Sequence, residues 1–255
     1  MRSRARALLL ALGLTLSLLT ACTADGEADR RPGDPVTAAE AQMLARLLHS
    51  NLERGGADFV VTAPYSDAAM LTLTGEIDFR RSIGRAQSVT HFADERPDDT
   101  RTLFFTAAQI WFSDVPGLAE SLAGAGVPDA TYLRRPLTTG VESPLLVDVA
   151  VEILLNLSTR RDDDPQSFRD SGYTWEGHRS IDSRLTSLFA LQHGRRVAVG
   201  ASDDLLIQFG TPLPGGTFEV TVTLSDHGPR RLDVPAEEKT ADAADHGELA
   251  ATFGI

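Results

Sequence analysis

The chain has 255 residues, 36 acidic against 24 basic side chains, a formal net charge of −12 and a single cysteine. That acidic balance argues against nucleic acid as a partner and against attraction to anionic headgroups, since both depend on clustered Lys and Arg. One cysteine excludes a disulfide-stapled scaffold, and a chain of this length is ample for one large core.

Arg2, Arg4 and Arg6 precede an apolar run, Ala7 to Leu19, that is shorter than the ~20 residues a membrane-spanning helix needs. It ends in Leu19-Thr20-Ala21-Cys22, which matches the bacterial lipoprotein processing box: residues 1–21 read as an export signal and Cys22 as the acylated N-terminus of the mature chain. Loss of three arginines and no acids takes the formal charge from −12 to −15. An ordinary secretory signal cut nearby would instead leave Cys22 incidental. Residues 22–36, rich in Asp, Gly, Pro and Arg, read as a flexible tether.

Thr37-Ala38-Ala39-Glu40 has the form of a capping box, and Ala41, Leu44, Leu47, Leu48 and Leu52 mark one helical face up to Gly55-Gly56. A helix over about Thr37 to Arg54 is expected, followed by an extended piece at Asp58 to Thr62. Ala69 to Phe79 is the clearest strand: Leu71, Leu73, Ile77 and Phe79 fall on one side, Thr72, Thr74, Glu76 and Asp78 on the other.

Further strands are expected near Ser88 to Phe92, Thr102 to Thr106 and Gln109 to Phe112. Leu103-Phe104-Phe105 and Ile110-Trp111-Phe112 carry large apolar groups on both faces, so either both faces are covered by protein or one lines a cavity. Val115 to Tyr132 reads as a loop with a short helix near Leu118 to Leu122. Pro144 opens a second helix, Leu145 to Ser158, apolar on most sides except for Asp148, Glu152 and Asn156 at i, i+4, i+8.

Arg160 to Pro165 reads as a charged loop, Ser171 to Leu191 as two short strands around Gly177, and Arg195 to Gly200 as a connection or strand start. Leu205 to Phe209 and Phe218 to Leu224 form an antiparallel pair, Arg231 to Val234 a last brief strand, and residues 237–255 a loosely ordered acidic tail.

Chemistry is sparse. The six histidines lie far apart in sequence with no metal-ligand spacing, Asp162-Asp163-Asp164 lacks the alternation of a calcium loop, and there is no nucleophile elbow or phosphate-binding glycine loop. Glu76 and Asp78 share a strand face, and Trp111 and Trp175 are possible stacking groups, but neither pair carries a motif. No enzyme activity, metal or cofactor is expected.

A tethered lipoprotein whose first helix runs into Asp58-Phe59-Val60-Val61-Thr62 and then a long Leu71-to-Phe79 strand resembles the LolA-like half-barrel proteins, particularly the mycobacterial LprG and LppX group. The pair around Gln109-Ile110-Trp111-Phe112 and the late Ser225-Asp226-His227-Gly228 before Pro235 carry the rest of the likeness, which spans residues 37–236. It implies an α+β fold, with one large antiparallel curved sheet, an open half-barrel, and helices packed on its concave side. It further implies an apolar cavity for lipid or lipoprotein acyl chains carried across the cell envelope, on the outer face of the cytoplasmic membrane to which Cys22 anchors the chain.

The expected cavity walls are Leu71, Leu73, Ile77, Phe79, Phe105, Phe112, Ile207 and Phe209. The same residues would equally serve a dry core, in which case a regulatory role through an envelope protein partner is the alternative.

Overall fold

The computed structural model describes residues 30–138, 145–213 and 218–255. The leader 1–21, Cys22, most of the tether and Pro144 lie outside them. Residues 31–255 form one compact unit.

A two-residue strand, β1 (Asp34–Pro35), leads into α1 (Ala38–Arg54). The capping box is present: the Glu40 amide donates to Thr37 Oγ1 at 3.2 Å and the Thr37 amide to Glu40 Oε2 at 2.8 Å. Gly55 ends the helix with φ of 99°, the left-handed cap that glycine adopts without a side-chain clash.

An antiparallel meander comes next: β2 (Gly56–Ser66), β3 (Ala69–Asp78), β4 (Ile83–Phe92), β5 (Asp99–Thr106), β6 (Gln109–Ser113), then α2 (Leu118–Gly124) and β7 (Tyr132–Pro136). After it the chain forms α3 (Leu146–Leu155) and α4 (Pro165–Asp170). A second meander comprises β8 (Thr174–Ile181), β9 (Arg184–Ala190), β10 (Arg196–Gly200), β11 (Leu206–Pro212) and β12 (Glu219–Ser225); β13 (Thr240–Asp242) and α5 (Gly247–Phe253) close the chain.

Among the described residues all thirteen strands join one sheet, ordered β1-β8-β9-β10-β11-β12-β2-β3-β4-β5-β6-β7-β13. The two meanders meet where β12 pairs antiparallel with β2, Val222 opposite Val61. Only the β13–β7 pairing is parallel, and β1 and β13 remain separate edges, so the sheet is open. α1 packs on β2 and β11, α3 on β2, and α4 on α1. This is the open sheet with helices that the resemblance implied.

The expected alternation in β3 holds at its centre, where Leu71, Leu73 and Ile77 are buried, but Asp78 is buried too. Its carboxylate leaves the strand face to accept from the Arg80 and Arg81 amides at 3.0 and 3.1 Å, shaping the turn into β4. Gly84 on β4 faces Phe105 across the ladder; a Cβ there would lie 2.0 Å from the ring, so the missing side chain is what admits the aromatic. Leu103, Phe105, Ile110 and Phe112 enter the main core, while Phe104 and Trp111 pair on the opposite face. Tyr132 and Arg85 pack on Phe104, and Trp111 is itself buried. The second face is covered at Trp111, whereas Phe104 is half-buried and borders an open groove with Arg85, Thr102 and Tyr132.

Four features differ from the sequence reading. Arg231 to Val234 is not a strand: between two prolines, its Leu232 carbonyl accepts from the Arg81 guanidinium at 2.5 Å instead of from a ladder. Residues 160–164 are the expected loop, but Pro165 opens α4, a helix the sequence reading did not assign, capped by Asp164 accepting from the Gln166 amide at 3.0 Å.

The β8–β9 turn is at Asp182-Ser183, both with positive φ, whereas Gly177 sits at a bulge. Residues 237–255 are built into the unit. Arg134 grips Asp242 with two bonds of 2.8 and 2.9 Å and Glu237 with one of 2.6 Å, and its guanidinium holds the Asp242 carboxyl below the usual carboxylate range.

His227 gives the fold a pH dependence. Burial, and next the charge of Arg184, depress its pKa below the ordinary 6.5, partly offset by a backbone hydrogen bond with Leu206 and by Asp203; Arg54 adds to the depression, and Nε2 is enclosed without a partner. Protonation is thus disfavoured in the folded state. The stabilisation is complete above the unfolded value and is lost as pH falls through it toward the folded one. Urea unfolding at about pH 7.5 and about pH 5.5 is expected to show a drop in midpoint that His227→Gln reduces; an equal drop in both proteins would contradict it.

Candidate functional site

A cavity of about 410 Å3 lies between the helices and the second meander. Its sheet wall comprises Leu191, Arg195, Val197, Leu206, Phe209 and Thr211. α1 contributes Leu44, Leu47 and Leu48, α3 and its end contribute Val149, Glu152, Ile153, Asn156 and Leu157, and Asp163, Phe168 and Tyr173 complete the helical side. The size falls within the range of small-molecule sites, and the composition, apolar with a few polar groups, is typical of one.

Backbone strapping fixes the helical side. The Thr159 amide donates to the Leu48 carbonyl at 3.2 Å and the Asp163 amide to the Ala45 carbonyl at 2.9 Å, so the connection from α3 to α4 is tied along α1. Asn51, fully buried, donates through Nδ2 to the Leu157 carbonyl at 2.7 Å. Phe168 and Tyr173 meet edge to face at 5.3 Å, bracing the short α4 against the residue that leads into β8.

The polar stripe of α3 divides between two tasks. Asp148 is fully buried and takes a bidentate pair from Arg135 of β7, at 2.8 and 2.9 Å, plus the Thr138 amide at 3.1 Å. Glu152 and Asn156, one and two turns on, reach the cavity. The buried pair thus anchors one face of an otherwise apolar helix, and the face carrying Glu152 and Asn156 borders the cavity.

Of the expected walls, Phe209 lines the cavity. Leu71, Leu73, Ile77, Phe79, Phe105 and Phe112 belong to the continuous core of the first meander, away from that lining. Ile207 packs on the other face with Ile181, Ala198 and Leu205. The reason is a register shift: Ala198 pairs with Gln208 but Val199 with Leu206, leaving Ile207 as the extra residue of a bulge. Leu206 and Phe209 therefore share the cavity face, which simple alternation from Phe209 cannot give.

Leu44, Leu47 and Leu48 were legible as an apolar helix face but not as a wall. Phe168, Tyr173 and Arg195 carried no signal beyond their residue type. Cys22 lies outside the described residues, so its acylation remains an expectation.

The other chemical candidates have structural roles. Glu76 lies 3.7 Å from Arg230, which also binds Asp58 and Asp226, whereas Asp78 caps a turn. Trp111 is buried, and Trp175 stands edge-on to His178 at 5.3 Å. Among the described residues no helix is long and apolar enough to cross a membrane.

No family model and no curated protein matches the sequence. Solved structures do align with it. LprF from Mycobacterium bovis matches at 13% identity with a TM-score of 0.43, covering 80% of this chain and 98% of LprF. MucB matches at 15% identity and a TM-score of 0.38 over 80% of this chain, which spans only 62% of MucB. A LolA superfamily protein from Nitrosomonas europaea matches at 11% identity and a TM-score of 0.25, covering 81% and 98%.

Proposed function

We propose that this chain is an envelope lipoprotein, anchored through Cys22, that binds lipid or acyl chains between its helices and the second meander and carries or chaperones them without catalysis. The observation that carries the reading is the cavity itself: leucine, valine and phenylalanine side chains from α1, α3, β10 and β11 surround about 410 Å3. Transfer of alkyl groups into such a space is favoured by about 0.8 kcal/mol per methylene, and it needs apolar walls more than any one residue.

Binding is tested by thermal unfolding of the chain carrying Cys22→Ser. A ligand at about 100 times its Kd adds about 2.7 kcal/mol, which is a rise of roughly 5–11 °C in Tm for a domain of this size. A series of acyl compounds is expected to produce that rise, growing with chain length until the cavity is full. A Tm unmoved by every compound would contradict the reading and direct attention to a protein partner.

A further inference from the structure

We infer that the cavity takes a single alkyl chain with an anionic head, and that Arg195 receives the head. This rests on the acyl-binding reading and narrows it. About 410 Å3 lies near the lower end of the range of small-ligand sites, about 300–1,000 Å3. A space of that size suits one alkyl chain better than two.

The strand register gives the cavity a direction. Arg195 immediately precedes the Arg196–Gly210 pair, and Thr211 immediately follows it on β11, so both stand at one end of the sheet wall, next to Leu191, whose amide donates to the Arg195 carbonyl at 2.7 Å. One step inward Val197 faces Phe209, and beyond the bulge Val199 pairs with Leu206. The wall therefore runs from a guanidinium and a hydroxyl at one end to aliphatic and aromatic groups at the other.

Among the described residues Arg195 is the only cation in the lining, and it makes no ion pair. Its Nε donates to the Gln192 carbonyl at 3.2 Å, leaving the terminal nitrogens for a ligand. The lining acids Glu152 and Asp163 belong to the helical side, and neither is ion-paired to Arg195. A planar guanidinium matches a carboxylate or phosphate in two parallel hydrogen bonds, which a neutral head cannot offer.

The test compares four probes on the chain carrying Cys22→Ser, by native mass spectrometry for stoichiometry and calorimetry for Kd. The probes are tetradecanoate, a lysophosphatidylglycerol, a monoacylglycerol and a two-chain phosphatidylglycerol. One equivalent of either single-chain anion is expected to bind, the tighter of the two identifying carboxylate or phosphate as the head. The monoacylglycerol should bind about tenfold more weakly, and Arg195→Gln should bring the anions to that level while leaving the neutral probe unmoved. Arg195→Lys should restore part of the difference.

Phosphatidylglycerol binding as tightly as the single-chain anions would overturn the one-chain capacity while leaving acyl binding intact. Equal affinity for neutral and anionic probes, or no effect of Arg195→Gln, would overturn the assignment of Arg195. Failure of all four would overturn acyl binding itself.

Discussion

Replacing Arg135 by alanine is expected to lower the unfolding free energy by about 3–5 kcal/mol, read as a fall in Tm of roughly 6–20 °C for a domain of this size. The partner left behind is the reason. Asp148 has no solvent exposure, and both of its oxygens are engaged by the guanidinium, so removal of Arg135 strands a carboxylate in the interior with one backbone amide for company. Arg135 also lies over the Phe112 ring at 5.2 Å, and that contact is lost with it.

Replacing both partners, Arg135→Met with Asp148→Leu, removes the uncompensated charge and is expected to recover most of the loss. Because the pair anchors one face of α3, the double variant should still unfold cooperatively but bind acyl chains less tightly, since Glu152, Ile153 and Asn156 no longer have a set orientation. A loss below about 1 kcal/mol in Arg135→Ala, the range of an exposed ion pair, would contradict this account of the pair.

Phe209→Asp is expected to weaken acyl binding by at least about 100-fold while the domain stays folded. An unpaired carboxylate facing an alkyl chain must either lose its water or keep it in the cavity, and either course costs a few kcal/mol. Phe209 is only half-buried, so the substitution itself removes a modest apolar contact, about 1–2 kcal/mol. Charge at Phe79 or Phe112, each 2% exposed, acts differently. Both are enclosed in the first meander's core, and their substitution should unfold the domain instead of selectively emptying it. Binding within threefold or so of the parent in a folded Phe209→Asp protein would place the ligand elsewhere.

The elements legible in the sequence were those whose determinants are local. The capping box of α1, the alternation of β3 and the glycine stop at Gly55 each depend on a few neighbouring residues, and each is present, the alternation of β3 as far as Ile77. The strand pairs β5–β6 and β11–β12 follow from the same kind of signal. The open sheet also follows, through the order of parts, although the β12–β2 pairing that joins its halves links residues some 160 positions apart and has no local mark.

The cavity was less legible because it depends on where elements meet. Leu71, Leu73 and Ile77 are as apolar as Leu47 or Val197; only the path of α1 and α3 across the sheet decides which set is filled by protein and which borders a space. The bulge at Ile207 reverses the expected face of one strand end without any glycine or proline to announce it. The C-terminal segment looked unstructured because its alanines give little apolar signal, yet Ala241, Ala243 and Ala250 are buried once Arg134 ties the segment to β7.

Occupancy of the cavity by an acyl chain is tested by mass spectrometry of the chain expressed for export with Cys22→Ser, so that no covalent lipid is attached, measured under native and then denaturing conditions. The expected result is a native mass excess equal to one lipid, lost on denaturation and absent from Phe209→Asp. Identical native and denatured masses, together with a Tm that no acyl compound raises, would contradict it.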